Sequence, residues 1–117
     1  DAILLDSDGH ICEGGYCAIV WWSDGVLHVP ASARTLPSIT KAIILDEARR
    51  RGGRIYRSNS TPSALEGKEV WAVNALHGIT VVTKIVTDSI LRTGTPTVAD
   101  HWRRWLDDSA TELKATP

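Results

Sequence analysis

The stretch TLPSITKAIILDEARRRGG, residues 35–53, predicts a helix over 38–51, and the way that helix begins decides how the chain is read. Its first two turns are apolar on nearly every side (Ile39, Ala42, Ile43, Ile44, Leu45), whereas its last turns carry Asp46, Glu47, Arg49, Arg50 and Arg51. The N-terminal end is therefore expected to be buried and the C-terminal end wet. Asp46/Arg50 and Glu47/Arg51 stand at the supportive i,i+4 spacing, the arginines complement the negative pole of the helix, and Gly52 suits a left-handed cap. A helix start buried in this way presents unpaired N–H groups and a positive dipole end to the interior. A phosphate is a common way to satisfy them. Ile39 and Thr40 would donate main-chain N–H groups and the Thr40 hydroxyl one more, while the plainer alternative is that Ser38 or Thr35 simply caps the helix.

Outward from the helix, the pattern is sheet. Residues 2–5 form a short apolar run, expected as a buried strand, stopped by Asp6-Ser7-Asp8-Gly9. A second strand resumes at 10–12, is interrupted near Gly14-Gly15 and continues over 16–22, and Ser23-Asp24-Gly25 turns it back into a strand over 26–29. Beyond the helix, 54–57 reads as a strand, 64–66 as a helical turn, and 70–73 and 78–85 as two more strands around the turn Asn74-Ala75-Leu76-His77. A final helix follows, with Thr97 and Asp100 as a capping-box variant and Val98, Trp102, Trp105 and Leu106 on one face. The fold class is α+β, a largely antiparallel sheet packed with two main helices.

Composition narrows the partners. The 117 residues fit one domain, and 13 basic against 14 acidic side chains leave a formal net charge of -1. No general attraction for nucleic acid or anionic lipid follows from that balance. The longest apolar run, residues 18–22, is far short of a bilayer span, and no basic segment leads an apolar one, so the expected location is the cytoplasm. Cys12 and Cys17 are too few for a disulfide framework or a zinc cage. On one extended segment they stand too far apart to bridge, and free thiols are expected.

Two further stretches bear chemistry. Glu13 sits where an apolar strand is broken by two glycines, and reads either as a turn residue facing water or as a partly buried carboxylate beside space for a flat ligand. The turn Asn74-Ala75-Leu76-His77-Gly78 is an ordinary polar loop or a source of N–H groups for a carboxylate or phosphate. An acid at a strand break, Leu-Pro-Ser-Ile-Thr opening a helix, and a turn running into Gly-Ile-Thr-Val-Val occur here in that order. Together they resemble the C-terminal domain of fold-type IV pyridoxal-phosphate enzymes, the class IV aminotransferase family. That family includes branched-chain and D-amino-acid aminotransferases and aminodeoxychorismate lyase. The resemblance covers about residues 1 to 86.

The resemblance implies a cofactor, pyridoxal 5'-phosphate, and a place for each residue. Glu13 matches the glutamate that pairs with the pyridine nitrogen, Leu36 the residue packed near the ring, and Ser38, Ile39 and Thr40 the helix start that receives the phosphate. Asn74 and Ala75 fall at a second phosphate contact, and Ala75 and Leu76 in the turn whose amides meet the substrate carboxylate. The chain also departs from the family. Ser38 replaces a glycine, Ala18 an asparagine, Val81 a proline and Ala75 a threonine, and Asn74-Ala75-Leu76 is closer to the lyase-like branch. None of Lys41, Lys68, Lys84 or Lys114 matches the Schiff-base lysine, which the family carries upstream of the stretch matching residue 1.

The chain is accordingly expected to be a C-terminal cofactor-binding domain, inactive alone, whose full-length protein is a homodimeric aminotransferase acting on an amino acid and a 2-oxo acid. Its N-terminal domain is the implied partner. Two alternatives stand beside this: a carbon-carbon lyase of the aminodeoxychorismate type, and a non-catalytic binding domain that has lost the lysine lobe.

Overall fold

The computed structural model describes residues 3–31, 38–87 and 89–115, the last six by backbone alone. The strands are β1 (Ile3–Leu5), β2 (Ile11–Gly14), β3 (Ala18–Ser23), β4 (Val26–Pro30), β5 (Ile55–Ser58), β6 (Glu69–Asn74), β7 (Gly78–Val82), β8 (Lys84–Val86) and β9 (Ile90–Arg92). Helix α1 (Ile39–Arg50) lies between β4 and β5, a 3-10 turn (Pro62–Leu65) precedes β6, and α2 (Ala99–Ala115) comes last. The fold is α+β as expected.

The central sheet runs β5-β4-β3-β6-β7, antiparallel throughout except for β4 and β5, which α1 connects in parallel. Its middle strand is apolar without alternation because both of its faces are covered. Ala18 and Val20 face one core with Trp71, Ile44 of α1 and Trp102 of α2, whereas Ile19 and Trp21 face another with Ile11, Val70 and Ile85. The helices thus cover one face of the sheet, and the small hairpins β1-β2 and β8-β9 cover the other. Trp21 and Trp71 are each only 0–1 % exposed, a burial contributing on the order of 2–3 kcal/mol apiece. Between β3 and β4 the turn is Asp24-Gly25, both at positive φ, as a two-residue hairpin turn requires.

Helix α1 ends in a Schellman motif. Gly52, at φ 83, donates its N–H to the Arg49 carbonyl and Gly53 donates to that of Ala48. Arg51 then lies 4.2 Å over the Trp102 ring and binds Glu47, which ties the end of α1 to α2.

Several expectations need correction. The burial gradient along α1 is not the expected one: Ile39 is 78 % exposed while Glu47 is 6 % exposed. Ile44 and Ala48, with Leu45 beside them, pack on the sheet, and Glu47 tolerates burial because Arg50 and Arg51 bind its two oxygens at 2.6–2.7 Å. Arg50 therefore pairs with Glu47 and not with Asp46, whose partner is Arg49. Strand β1 is half-exposed at Leu4 and Leu5, since it belongs to a two-stranded hairpin and not to the central sheet. The strand expected over 78–85 breaks at Thr83, and its second part pairs with β9, which the sequence reading missed. The carboxylate at the start of α2 is that of Glu69 from β6, which accepts the Thr97 amide at 2.7 Å; Asp100 instead binds Arg103.

Candidate functional site

One cleft of about 400 Å³ opens where the β2-β3 break, the start of α1 and the β6-β7 turn converge. Glu13, Ser38, Ile39, Thr40, Asn74 and Ala75 all line it, although they come from three separate parts of the chain. Leu36 lies outside the described residues. Leu76 does not line the cleft and is 84 % exposed.

The start of α1 leaves two donors without an acceptor among the described residues. Ser38 is the N-cap, and its hydroxyl accepts the Lys41 amide at 3.2 Å while its carbonyl accepts the Ala42 amide at 3.0 Å. Capping and anion binding are therefore not alternatives here. No described residue accepts from the Ile39 or Thr40 amide, and both residues line the cleft. Thr40 is itself buried.

On the opposing wall, Glu13 is half-buried in β2, directly across from Leu4 of β1. The chain leaves β2 through Gly14 and Gly15, and the Gly14 N–H is held by the Cys17 carbonyl at 2.8 Å, so two residues without side chains form part of the lining. Cys17 also lines the cleft, and burial pushes its thiol pKa up, with the Glu13 carboxylate acting in the same direction. Sequence reasoning had taken Cys17 only as a free thiol. Only its position just after the strand break signals that it faces the cleft. Lys41, one residue past the buried Thr40, is pushed down by burial and by Arg57, while Glu13 acts to raise it.

The β6-β7 turn is fixed by its own asparagine. Asn74 accepts the His77 amide on its side-chain oxygen at 2.6 Å, which commits that oxygen to the turn. Ala75 adds no hydroxyl beside it. Around the mouth, Tyr16, Ile39 and Leu76 are 88, 78 and 84 % exposed, an unusually apolar rim for so small a cleft.

The family model for amino-transferase class IV matches residues 1–85. The chain belongs to the class IV aminotransferase family. No match was found among curated protein sequences. Among solved structures, the branched-chain amino acid aminotransferase of Escherichia coli superposes with a TM-score of 0.73 at 26% identity, over 87% of this chain and 35% of its own. A 4-amino-4-deoxychorismate lyase from Pseudomonas aeruginosa gives 0.77 at 22%, over 91% of this chain and 39% of its own. An aminotransferase from Brucella abortus, solved with bound PLP, gives 0.78 at 14%, over 94% and 39%. These last two bear on the fold alone. This class IV chain spans 35 to 39% of the length of the three structures.

Proposed function

We propose that this chain is the cofactor-holding domain of a pyridoxal-phosphate-dependent aminotransferase that acts on an amino acid and a 2-oxo acid. The observation that carries the reading is the convergence, in one cleft, of two helix-start amides that no described residue accepts and a carboxylate from strand β2. The residues fit the cofactor. The Ile39 and Thr40 amides, with the Thr40 hydroxyl, suit a phosphate at the positive end of α1. Gly14 and Gly15 leave room for a flat ring, and Glu13 suits a ring nitrogen that must keep its proton.

Bound pyridoxal phosphate supplies an electron sink for bond breaking at the substrate α-carbon. The rest falls to the protein. Thr40 and its neighbour Ile39 anchor the phosphate, so that the ring is held in one orientation. Glu13 would accept the ring nitrogen's N–H and so hold a proton there. The Asn74-His77 bond keeps the β6-β7 turn in shape, so that its amides can meet a carboxylate.

No described lysine lines the cleft, which supports a Schiff-base lysine supplied by a preceding N-terminal domain. The exposed rim of Tyr16, Ile39 and Leu76 supports the same reading, because such a domain would cover it. The domain alone is inactive on this account, and the homodimer belongs to the full-length protein.

The test is a product assay on that full-length protein with a panel of amino acids. A transaminase releases the matching 2-oxo acid only while an amino acceptor is present. Release of a cleaved carbon fragment without any acceptor would assign the lyase instead, and no product from a protein that binds the cofactor would assign a binding domain.

A further inference from the structure

The geometry points to a second anion site, at the base of the β8-β9 hairpin, that takes a phosphoryl group. A cleft of about 380 Å³ there is lined by Arg92 and Arg103 together with Thr83, Thr93 and Thr95, and it shares no residue with the cleft described above.

The two guanidinium groups are prepared differently. Arg103 is fixed: its Nε donates to the Ile79 carbonyl at 2.9 Å and its Nη1 to Asp100 at 3.3 Å. Asp100 is 91 % exposed, so water screens most of the neutralisation it provides. Arg92 is uncommitted. Its side chain makes no ion pair or hydrogen bond with a described residue, and its direct cross-strand neighbour is Lys84, a like charge that also forms no ion pair among the described residues. Like charges placed opposite one another in a hairpin are unfavourable, and a bound anion relieves that repulsion. Two arginines of a protein of net charge -1 thus line one cleft, and among the described residues only Arg103 has a carboxylate partner.

The remaining lining has the right chemistry. The Thr93 hydroxyl is spent on the Val82 carbonyl, which fixes the loop, whereas those of Thr83 and Thr95 bond no described residue. Gly94 holds the loop close, with its N–H on the Lys68 carbonyl at 2.6 Å and no space for a side chain: an added Cβ would meet the Gly67 carbonyl oxygen at 2.4 Å. Two guanidinium groups and two hydroxyls match an oxyanion with several acceptor oxygens, which arginine binds in a bidentate manner.

The experiment titrates the chain with inorganic phosphate, pyrophosphate and glycerol phosphate in sodium chloride of matched ionic strength, with NMR reading the amides of Arg92, Thr93 and Thr95 beside those of Ile39 and Thr40. Saturable shifts are expected at 92–95, with affinity lowered about tenfold in Arg92→Gln and unaltered in Thr40→Ala. Arg92→Gln removes no contact the fold uses, and its unperturbed amide spectrum is the check on folding. Tight binding of glycerol phosphate assigns a phosphorylated small molecule, and preference for the inorganic anions assigns free phosphate; either supports the site. Shifts that never saturate, that chloride reproduces, or that survive Arg92→Gln unchanged overturn it. Because Ile39 and Thr40 are followed separately, failure here leaves the reading of the first cleft untouched.

Discussion

Glu69 on β6 accepts both the amide of Thr97, at 2.7 Å, and its hydroxyl, at 3.0 Å, so a strand carboxylate seats the start of α2. Its second oxygen accepts the Trp71 indole N–H at 2.9 Å. Burial, the largest single influence, pushes the Glu69 pKa up, yet these donors and the Val98 amide together hold it below the usual value. Glu69→Ala strands four buried or half-buried donors at once. It should cost about 2–4 kcal/mol in urea unfolding. A cost near that of an exposed alanine substitution would mean that α2 is held by its tryptophans alone.

A second prediction concerns acid. The Glu47 carboxyl is held down from 4.5 to about 2, first by its hydrogen bond from Arg50 and then by Arg51, against its burial. A folded value below the unfolded one means stability that is complete above about 4.5 and lost as pH falls toward 2. In urea unfolding followed through that window, the parent should converge on Glu47→Gln. A gap that stays constant with pH would assign the contribution of Glu47 to packing, not charge.

What was legible in the sequence follows from where the signals are local. The Gly52 cap, the Asp24-Gly25 turn and the apolar run of residues 18–22 are set by residues adjacent in the chain, and their elements stand close to where they were expected. Burial along α1 was misjudged because the apolar count of its first turns carries no information about which side meets the sheet. Ile39 is exposed at the cleft mouth, and Glu47 is buried only because two arginines reach back to it. The break at Thr83 was hidden for a related reason. Residues 78–85 are uniformly β-formers, and only the pairing of Lys84–Val86 with the distant Ile90–Arg92 takes them out of the central sheet. The Glu69-Thr97 cap is likewise long-range, so the nearby Asp100 offered itself in its place.

At the cleft, composition and order pointed to the three contributing stretches, and the structure gathers them. Cys17 and Tyr16 escaped notice because a strand break rotates the residues after it in a way that simple alternation does not follow.

The role proposed for Glu13 has its own kinetic consequence. In the full-length protein Glu13→Gln keeps the shape but removes the charge that holds the ring nitrogen protonated. The rate of α-proton removal at saturating cofactor should fall about tenfold or more. An unchanged rate, in single-turnover measurements, would make Glu13 a turn residue.

The central claim is that the start of α1 receives the cofactor phosphate, and the most direct measurement compares two ligands that differ only there. Titrated into this chain, pyridoxal phosphate should bind Thr40→Ala more weakly than the parent by about 1–2 kcal/mol, the loss expected for a hydrogen bond to a charged group. Pyridoxal, without the phosphate, should bind both alike. Thr61→Ala, whose hydroxyl among the described residues meets only that of Ser63 in an exposed loop, serves as the control and should alter neither ligand. Equal losses for the two ligands in Thr40→Ala, or no loss for either, would contradict the account.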